Sequence, residues 1–350
     1  MTMNDFFEIL AVWYAENKRE LPWRNQKDPY KIWISEIILQ QTRIDQGWNY
    51  YLRFIERFPD VFSLANASED EILKYWQGLG YYSRARNLHQ GAKFIVFTYN
   101  GIFPNEYDKI KQIKGIGDYT AAAIASFAFK LPFPAIDGNA YRVLARIFGV
   151  STPIDTIQGK KEFKLLADKL IDKKQPDIFN QAIMDFGATW CKPKNPNCDY
   201  CPFENICFAK NHYLQNYLPI KSKKIQLKKR YFYYFNIIDS GFTYLHKRTS
   251  KDIWTGLYEF PLIECERKYD IGEIIDFQEF KNYFSECSFR IKKILQPIKH
   301  QLTHQTIIAQ FIEIEIISGF FLCQSNFLKI KKEEMSNFPI SRLMELGIDK

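Results

Sequence analysis

The sequence has no apolar run approaching the roughly 20 residues that cross a bilayer, so a membrane-spanning protein is not expected. Its opening residues, MTMNDFFEIL, lack a basic segment and a small-residue cleavage site, which argues against secretion. Cysteine is scarce, at seven in 350 residues, and it is unevenly spread. Four cysteines fall in WCKPKNPNCDYCPFENIC at 190–207, while Cys265, Cys287 and Cys323 are scattered beyond it. In the reducing cytoplasm that these absences imply, thiols gathered so closely bind metal more often than they form disulfides. No internal repeat is visible.

What is present fits a soluble globular chain of about two domains. Hydrophobic residues make up 46% and charged residues 25%. The formal net charge is +8 and the pI is near 8.9, which is compatible with a polyanionic partner such as nucleic acid. Residues 1–213 read as short helices, because apolar positions recur at helical spacing in DEILKYWQGL and TAAAIASFAF and prolines punctuate the segment. The basic stretch within 214–230 reads as an exposed linker. From 231 to 350 the texture changes to β-branched and aromatic runs such as TIIAQFIEIEII, predicting strands in an α+β domain.

The cysteines are spaced C-x6-C-x2-C-x5-C, at Cys191, Cys198, Cys201 and Cys207. Four thiolates so close can converge on tetrahedral zinc or on a [4Fe–4S] cluster. A single C-x-x-C pair and unequal outer spacings favour the cluster. Upstream, IKQIKGIGDYTAAAIASF at 110–127 passes through Gly115-Ile116-Gly117 between two apolar segments. Glycines there let backbone approach a ligand, and the N–H groups opening the second helix suit a phosphate. Alone, that motif is a common tight turn. Asp137, in AIDGNAYRVLAR, reads alone as a helix N-cap. Glu36, in WISEIILQQTRIDQ, stands beside Ile34, Ile37 and Ile38, and partial burial there would raise its pKa toward neutrality.

Together these strings resemble the endonuclease III superfamily of DNA repair glycosylases, and within it the MutY-type adenine glycosylases. The likeness spans about residues 6–310 and includes LPWR at 21–24 and GLGYYSRARNL at 78–88. It implies an all-α helix-hairpin-helix glycosylase domain with a structural [4Fe–4S] loop, followed by an α+β domain of Nudix-like fold. By resemblance, Gly115, Gly117, Lys192 and Lys194 approach the DNA backbone, and Asp137 faces the deoxyribose. Glu36 is the acid that protonates the leaving adenine. Tyr119 stands where lyase members carry the Schiff-base lysine, so the resemblance implies a hydrolase with little lyase activity; in MutY-type enzymes a tyrosine there contacts the reacting nucleotide.

Trp23, Arg24, Leu39 and Gln40 are expected around the adenine pocket. Gln41 and Tyr81 are expected to fill or wedge the stack, while Asn139 and Asp185 orient base or water. Without the resemblance, Trp23 and Tyr81 would read as core packing. DIWTGLYEFP at 252–261 and HQLTHQTI at 300–307 resemble the MutY C-terminal domain, which recognises 8-oxoguanine. No G-x5-E-x7-R-E-x-x-E-E box is present, so that domain is expected to bind without hydrolysing nucleotides. The recognition loop of that domain usually reads Phe-Ser-His; here His304 matches, Thr303 keeps the serine's hydroxyl and Leu302 replaces the phenylalanine. The expected partner is double-stranded DNA carrying adenine opposite 8-oxoguanine or guanine, met by a cytoplasmic, nucleoid-associated monomer. Two other readings stay open. One is a bifunctional oxidised-pyrimidine glycosylase with lyase activity, against which Tyr119 argues. The other is a non-catalytic iron–sulfur DNA-binding protein, against which the presence of both Glu36 and Asp137 argues.

Overall fold

The structure is a computed structural model that describes residues 3–24, 26–222, 227–321 and 327–348. Residues 223–226 of the expected linker, and Cys323, lie outside the described residues. The chain divides into two compact units, Met1–Asn66 with Asn87–Lys224, and Ala67–Arg86 with Ile225–Lys350.

The first unit is helical. Helix Pro29–Leu39 starts at the N-cap Asp28, whose side chain accepts from the Tyr30 N–H, with Pro29 fixing the first turn. Its sequence PYKIWISEIIL has apolar residues on every side, and Tyr30, Ile32 to Ile34 and Ile37 to Ile38 are all buried. A helix that is hydrophobic all round goes to the interior, and it carries Glu36 with it. Helix Asp118–Phe129 begins after the Gly115-Ile116-Gly117 turn, and its Ala121, Ala122, Ala123 and Ala125 are buried. Gly115 has φ +85°, the left-handed region that favours glycine, and an added Cβ would fall 2.8 Å from Asn87 Cβ. Helices Gly138–Phe148 and Pro176–Thr189 cross so closely that a Cβ on Gly187 would sit 2.6 Å from Asn139 Cβ. The core between them takes Phe6, Leu144, Phe163, Phe179, Phe186 and Phe203, each worth roughly 1.5–3 kcal/mol when fully buried.

The second unit holds the strands β1 (Lys228–Ile238), β2 (Phe242–Lys247), β3 (Tyr258–Glu259), β4 (Leu262–Cys265), β5 (Cys287–Ile294), β6 (Ile298–Gln301), β7 (Gln305–Gly319) and β8 (Phe327–Lys331). One sheet runs β4-β1-β7-β5 with β6 also on β7, and the other runs β3-β2-β8. The central β1–β7 pair is parallel, from Lys228 opposite Gln305 to Ile238 opposite Glu315. β1 is apolar on both faces. Phe232 and Tyr234 enter one core with Ile307 and Phe311, while Tyr233, Phe235 and Ile237 enter another with Ile312 and Ile314. That two-sided burial explains why RYFYYFNIID reads as a continuous run rather than an alternation.

The division differs from a single cut at 214–230, because Ala67–Arg86 groups with the second unit. Asp70 accepts from Lys247 Nζ at 2.5 Å and from the Tyr258 hydroxyl at 2.8 Å. Gly256, at φ +88°, lies where a Cβ would meet Leu73 Cδ1 at 2.9 Å. The helix Glu69–Trp76 is thus held by side chains more than 170 residues away in sequence, a pairing that no local pattern reveals.

Candidate active site

Glu36 is 7% exposed, in the middle of its buried helix. Burial raises its pKa to about 7, opposed by the hydrogen bond from Tyr119 and the nearby Arg24 charge, and supported by the Asp137 charge. The Tyr119 hydroxyl donates to Glu36 Oε2 at 2.7 Å and lies 4.0 Å from Met184 Sδ. Burial holds the phenol proton of Tyr119 well above its ordinary range. Asp137 is the N-cap of helix Gly138–Phe148 and accepts the Ala140 N–H at 2.7 Å, so the local role expected of it is real. Its other oxygen accepts from Asn139 Nδ2 at 2.7 Å. Burial raises the Asp137 pKa too, but these donors and Arg142 pull it back. Two carboxyl groups therefore sit in one site under different constraints, one with a single donor and one with several.

A cavity of about 600 Å³ gathers these groups. Of the residues read from the sequence, Trp23, Arg24, Leu39, Gln40, Gln41 and Asn139 line it along with Glu36, Tyr119 and Asp137. Gln40 Nε2 donates to Thr120 Oγ1 at 3.2 Å. Gly117 is on the wall and an added Cβ there would meet nothing within 4 Å, whereas Gly115 serves the turn. Arg19, Thr120 and Met184 also line the cavity and carried no sequence signal.

Asp185, expected to help orient base or water, does not line the cavity. It is fully buried, and Oδ1 accepts from Arg19 Nη2 at 2.6 Å and Arg24 Nη2 at 2.7 Å. The Arg19 backbone N–H reaches Oδ2 at 3.2 Å. Its carboxylate is taken up by the two arginines that reach the wall, because a buried charge needs such partners.

Arg142 was missed as well. It donates to Asn139 Oδ1 at 2.8 Å, to the Gly187 carbonyl at 2.6 Å and to the Cys191 carbonyl at 2.8 Å. One side chain thus ties the partner of Asp137 to the start of the cysteine loop. Arg146 donates to Cys191 Sγ at 3.3 Å, the Lys192 carbonyl at 2.8 Å and the Pro193 carbonyl at 3.2 Å. Cys191, Cys201 and Cys207 pack against the Phe186–Phe203 core. The Cys198, Cys201 and Cys207 thiols are raised by burial first and by neighbouring thiols second, Cys201 to about 12. Among the described residues, no three His, Cys, Asp or Glu side chains are grouped so as to hold one metal ion. Lys192 and Lys194 are exposed on this loop.

The comparisons decide the family. Residues 34–169 match the HhH-GPD superfamily base excision DNA repair proteins, and residues 233–350 match the NUDIX domain. The adenine DNA glycosylase of Buchnera aphidicola subsp. Baizongia pistaciae is 37% identical over 318 residues, covering 88% of this chain and 85% of that one. That of the Schizaphis graminum subspecies is 34% identical and covers 100% and 97%. The chain belongs to the adenine DNA glycosylase family. It is a DNA glycosylase with a Nudix-like second domain. The human adenine DNA glycosylase is 38% identical over 218 residues, 60% of this chain and 40% of that one. Among solved structures, a thermostable thymine-DNA glycosylase superposes with TM-score 0.57 at 28% identity over 60% of this chain and 97% of its own. An endonuclease III–DNA covalent intermediate, at 22% identity and TM-score 0.53, shares the fold over 61% and 99%.

In this glycosylase the second unit has its own cavity of about 580 Å³, lined by Tyr81, Trp254, His300, Leu302, Thr303 and His304 among others. The Tyr81 hydroxyl contacts the Thr303 hydroxyl. Gln41 and Tyr81 both have left-handed backbones, at φ 58° and 46°. Non-glycine residues held there store strain, which gathers at functional sites. No helix among the described residues is long and apolar enough to cross a membrane.

Proposed function

We propose that this glycosylase hydrolyses the N-glycosidic bond of adenine paired with 8-oxoguanine or guanine in double-stranded DNA, acting as a monomer and leaving an abasic site with the strand intact. The observation that carries this reading is the buried Glu36, with its pKa near 7 and Tyr119 donating to it. Adenine leaves poorly unless its ring is protonated, and an acid poised near the working pH supplies that proton as the bond to C1′ breaks. Asp137, held by Ala140 and Asn139, stabilises the positive charge that develops on the sugar. Tyr119 offers a phenol where an imine-forming lysine would otherwise stand, so water completes the reaction. Gln41 and Tyr81 press into the stack as the base leaves it. Thr303 and His304 face the partner base, with Leu302 in place of an aromatic ring. Gly115, Gly117, Lys192 and Lys194 hold the phosphates.

Cys191, Cys198, Cys201 and Cys207 would hold a [4Fe–4S] cluster through their thiolates. The electrostatic influence of Cys191, Cys198 and Cys207 on the Cys201 thiol, and the Arg146 donor on Cys191, support the fit. When bound, the cluster anchors the loop and takes no part in bond cleavage.

Single-turnover excision on an adenine:8-oxoguanine duplex tests the reading. Glu36→Gln should excise about 10²–10⁴-fold more slowly while still binding the duplex. Equal rates in wild type and variant would overturn it. Efficient borohydride trapping of a covalent lysine–DNA adduct would overturn the monofunctional assignment.

A further inference from the structure

Behind Glu36 lies a second cavity, of about 460 Å³, which the reaction above does not use. Glu36, Trp23 and Arg24 line both this rear cavity and the front one, so they form the partition between the two. The lining of the rear cavity includes the buried Ile32 and Ser35 and the half-buried Ala128 and Ile178. Its rim carries Lys18, Lys27 and Lys130, all exposed, so the cavity reaches the surface. Two lining residues, Arg24 and Asp177, each carry a buried polar atom, Nε and Oδ1, with no hydrogen-bond partner among the described residues. Buried polar groups in a roomy polar cavity are the setting in which water supplies the missing bonds.

Under the proposed function the target nucleotide fills the front cavity and the duplex covers its mouth. The general acid must nevertheless carry a proton in every bound complex. We propose that the rear cavity is the route by which solvent protons reach Glu36 while DNA occupies the front. A solvent acid gives up its proton through rear-cavity water to the Glu36 carboxylate, and its conjugate base stays in solvent. Glu36 then passes the proton to the adenine ring as the electron pair of the C1′–N bond leaves with the base. This inference rests on Glu36 acting as the general acid.

The groups facing Glu36 agree with a rear supply. Tyr119, from helix Asp118–Phe129, keeps its own proton and donates only a hydrogen bond. Arg24 is a fixed cation, and Asp137, at the start of helix Gly138–Phe148, is engaged by Asn139 and Ala140. The titratable groups of the rear cavity are Tyr14, Lys18, Lys27, Lys130 and Asp177. Tyr14 is tied to Gln181 at 3.0 Å and Lys130 is paired loosely with Asp177 at 3.8 Å, so water carries the proton rather than a side-chain relay.

A pH jump on the preformed complex provides the test. Enzyme is saturated with adenine:8-oxoguanine duplex at about pH 9, where about 1% of a group with pKa near 7 is protonated. It is then brought to about pH 6 with excess unreactive trap duplex. Wild type should excise at once, at the rate of enzyme mixed with DNA at the lower pH. Ala128→Trp, which fills the rear cavity from helix Asp118–Phe129, should respond at least about tenfold more slowly after the jump. When mixed with DNA at the lower pH it should stay within about twofold of wild type. Ile178→Trp fills the cavity from the opposite helix and carries the same expectation should Ala128→Trp not fold. If both filled variants respond as wild type does, the proposal is overturned. A wild-type enzyme indifferent to the jump would instead overturn the general-acid role of Glu36.

Discussion

The hydroxyl of Tyr119, in the first turn of one helix, donates to Glu36 Oε2 at 2.7 Å in the buried middle of another. That bond favours the ionised carboxylate, while burial favours the neutral acid and prevails. Single-turnover excision should therefore fall as pH rises through about 7. Tyr119→Phe removes the opposing bond, so the falling limb of its pH–rate profile should move to higher pH. A limb that stays in place would show that the hydroxyl does not act on the carboxyl.

The same burial makes a stability prediction. Glu36 has a folded pKa of about 7 against 4.5 when free, so the folded state binds its proton more tightly. Its stabilising contribution is complete below about 4.5 and is lost as pH rises through about 7. Above that pH the penalty is about 3 kcal/mol at most. Glu36→Gln keeps an acceptor for Tyr119 without the charge. Its melting temperature should match wild type near pH 4.5 and exceed it above 7, as calorimetry across that range would read.

Asp185→Ala leaves Arg19 and Arg24 without their shared carboxylate. Breaking so buried a pairing should cost about 3 kcal/mol, measured by denaturant unfolding. Excision should fall as well, because Arg24 no longer has a fixed position beside Glu36. Undiminished stability would mean that the two arginines find other partners.

Arg142→Ala removes the link from Asn139 to the Cys191 carbonyl. The variant should show lower iron content per chain by absorbance and a slower single-turnover rate, with near-native helix content by circular dichroism. Full iron and full rate together would contradict the link.

How legible the molecule was in its sequence varied with the range of the interactions. Helical punctuation and the change to strand texture after 230 are local, and each has its counterpart in the fold. Glu36 was readable because its burial follows from isoleucines within two residues of it. Arg19, Arg142 and Met184 were not, since their meaning depends on neighbours brought from far along the chain. Asp185 was noticed, but its arginine partners lie more than 160 residues upstream. The grouping of Ala67–Arg86 with the second unit was hidden for the same reason.

The central claim is hydrolysis at the adenine glycosidic bond without strand cleavage, and the products of one turnover test it most directly. An end-labelled adenine:8-oxoguanine duplex is incubated with excess enzyme, and free base and strand length are measured before and after alkali. The account predicts free adenine with an unbroken strand that is cut only when alkali is added. No free adenine, or a strand already cut before alkali, would contradict it.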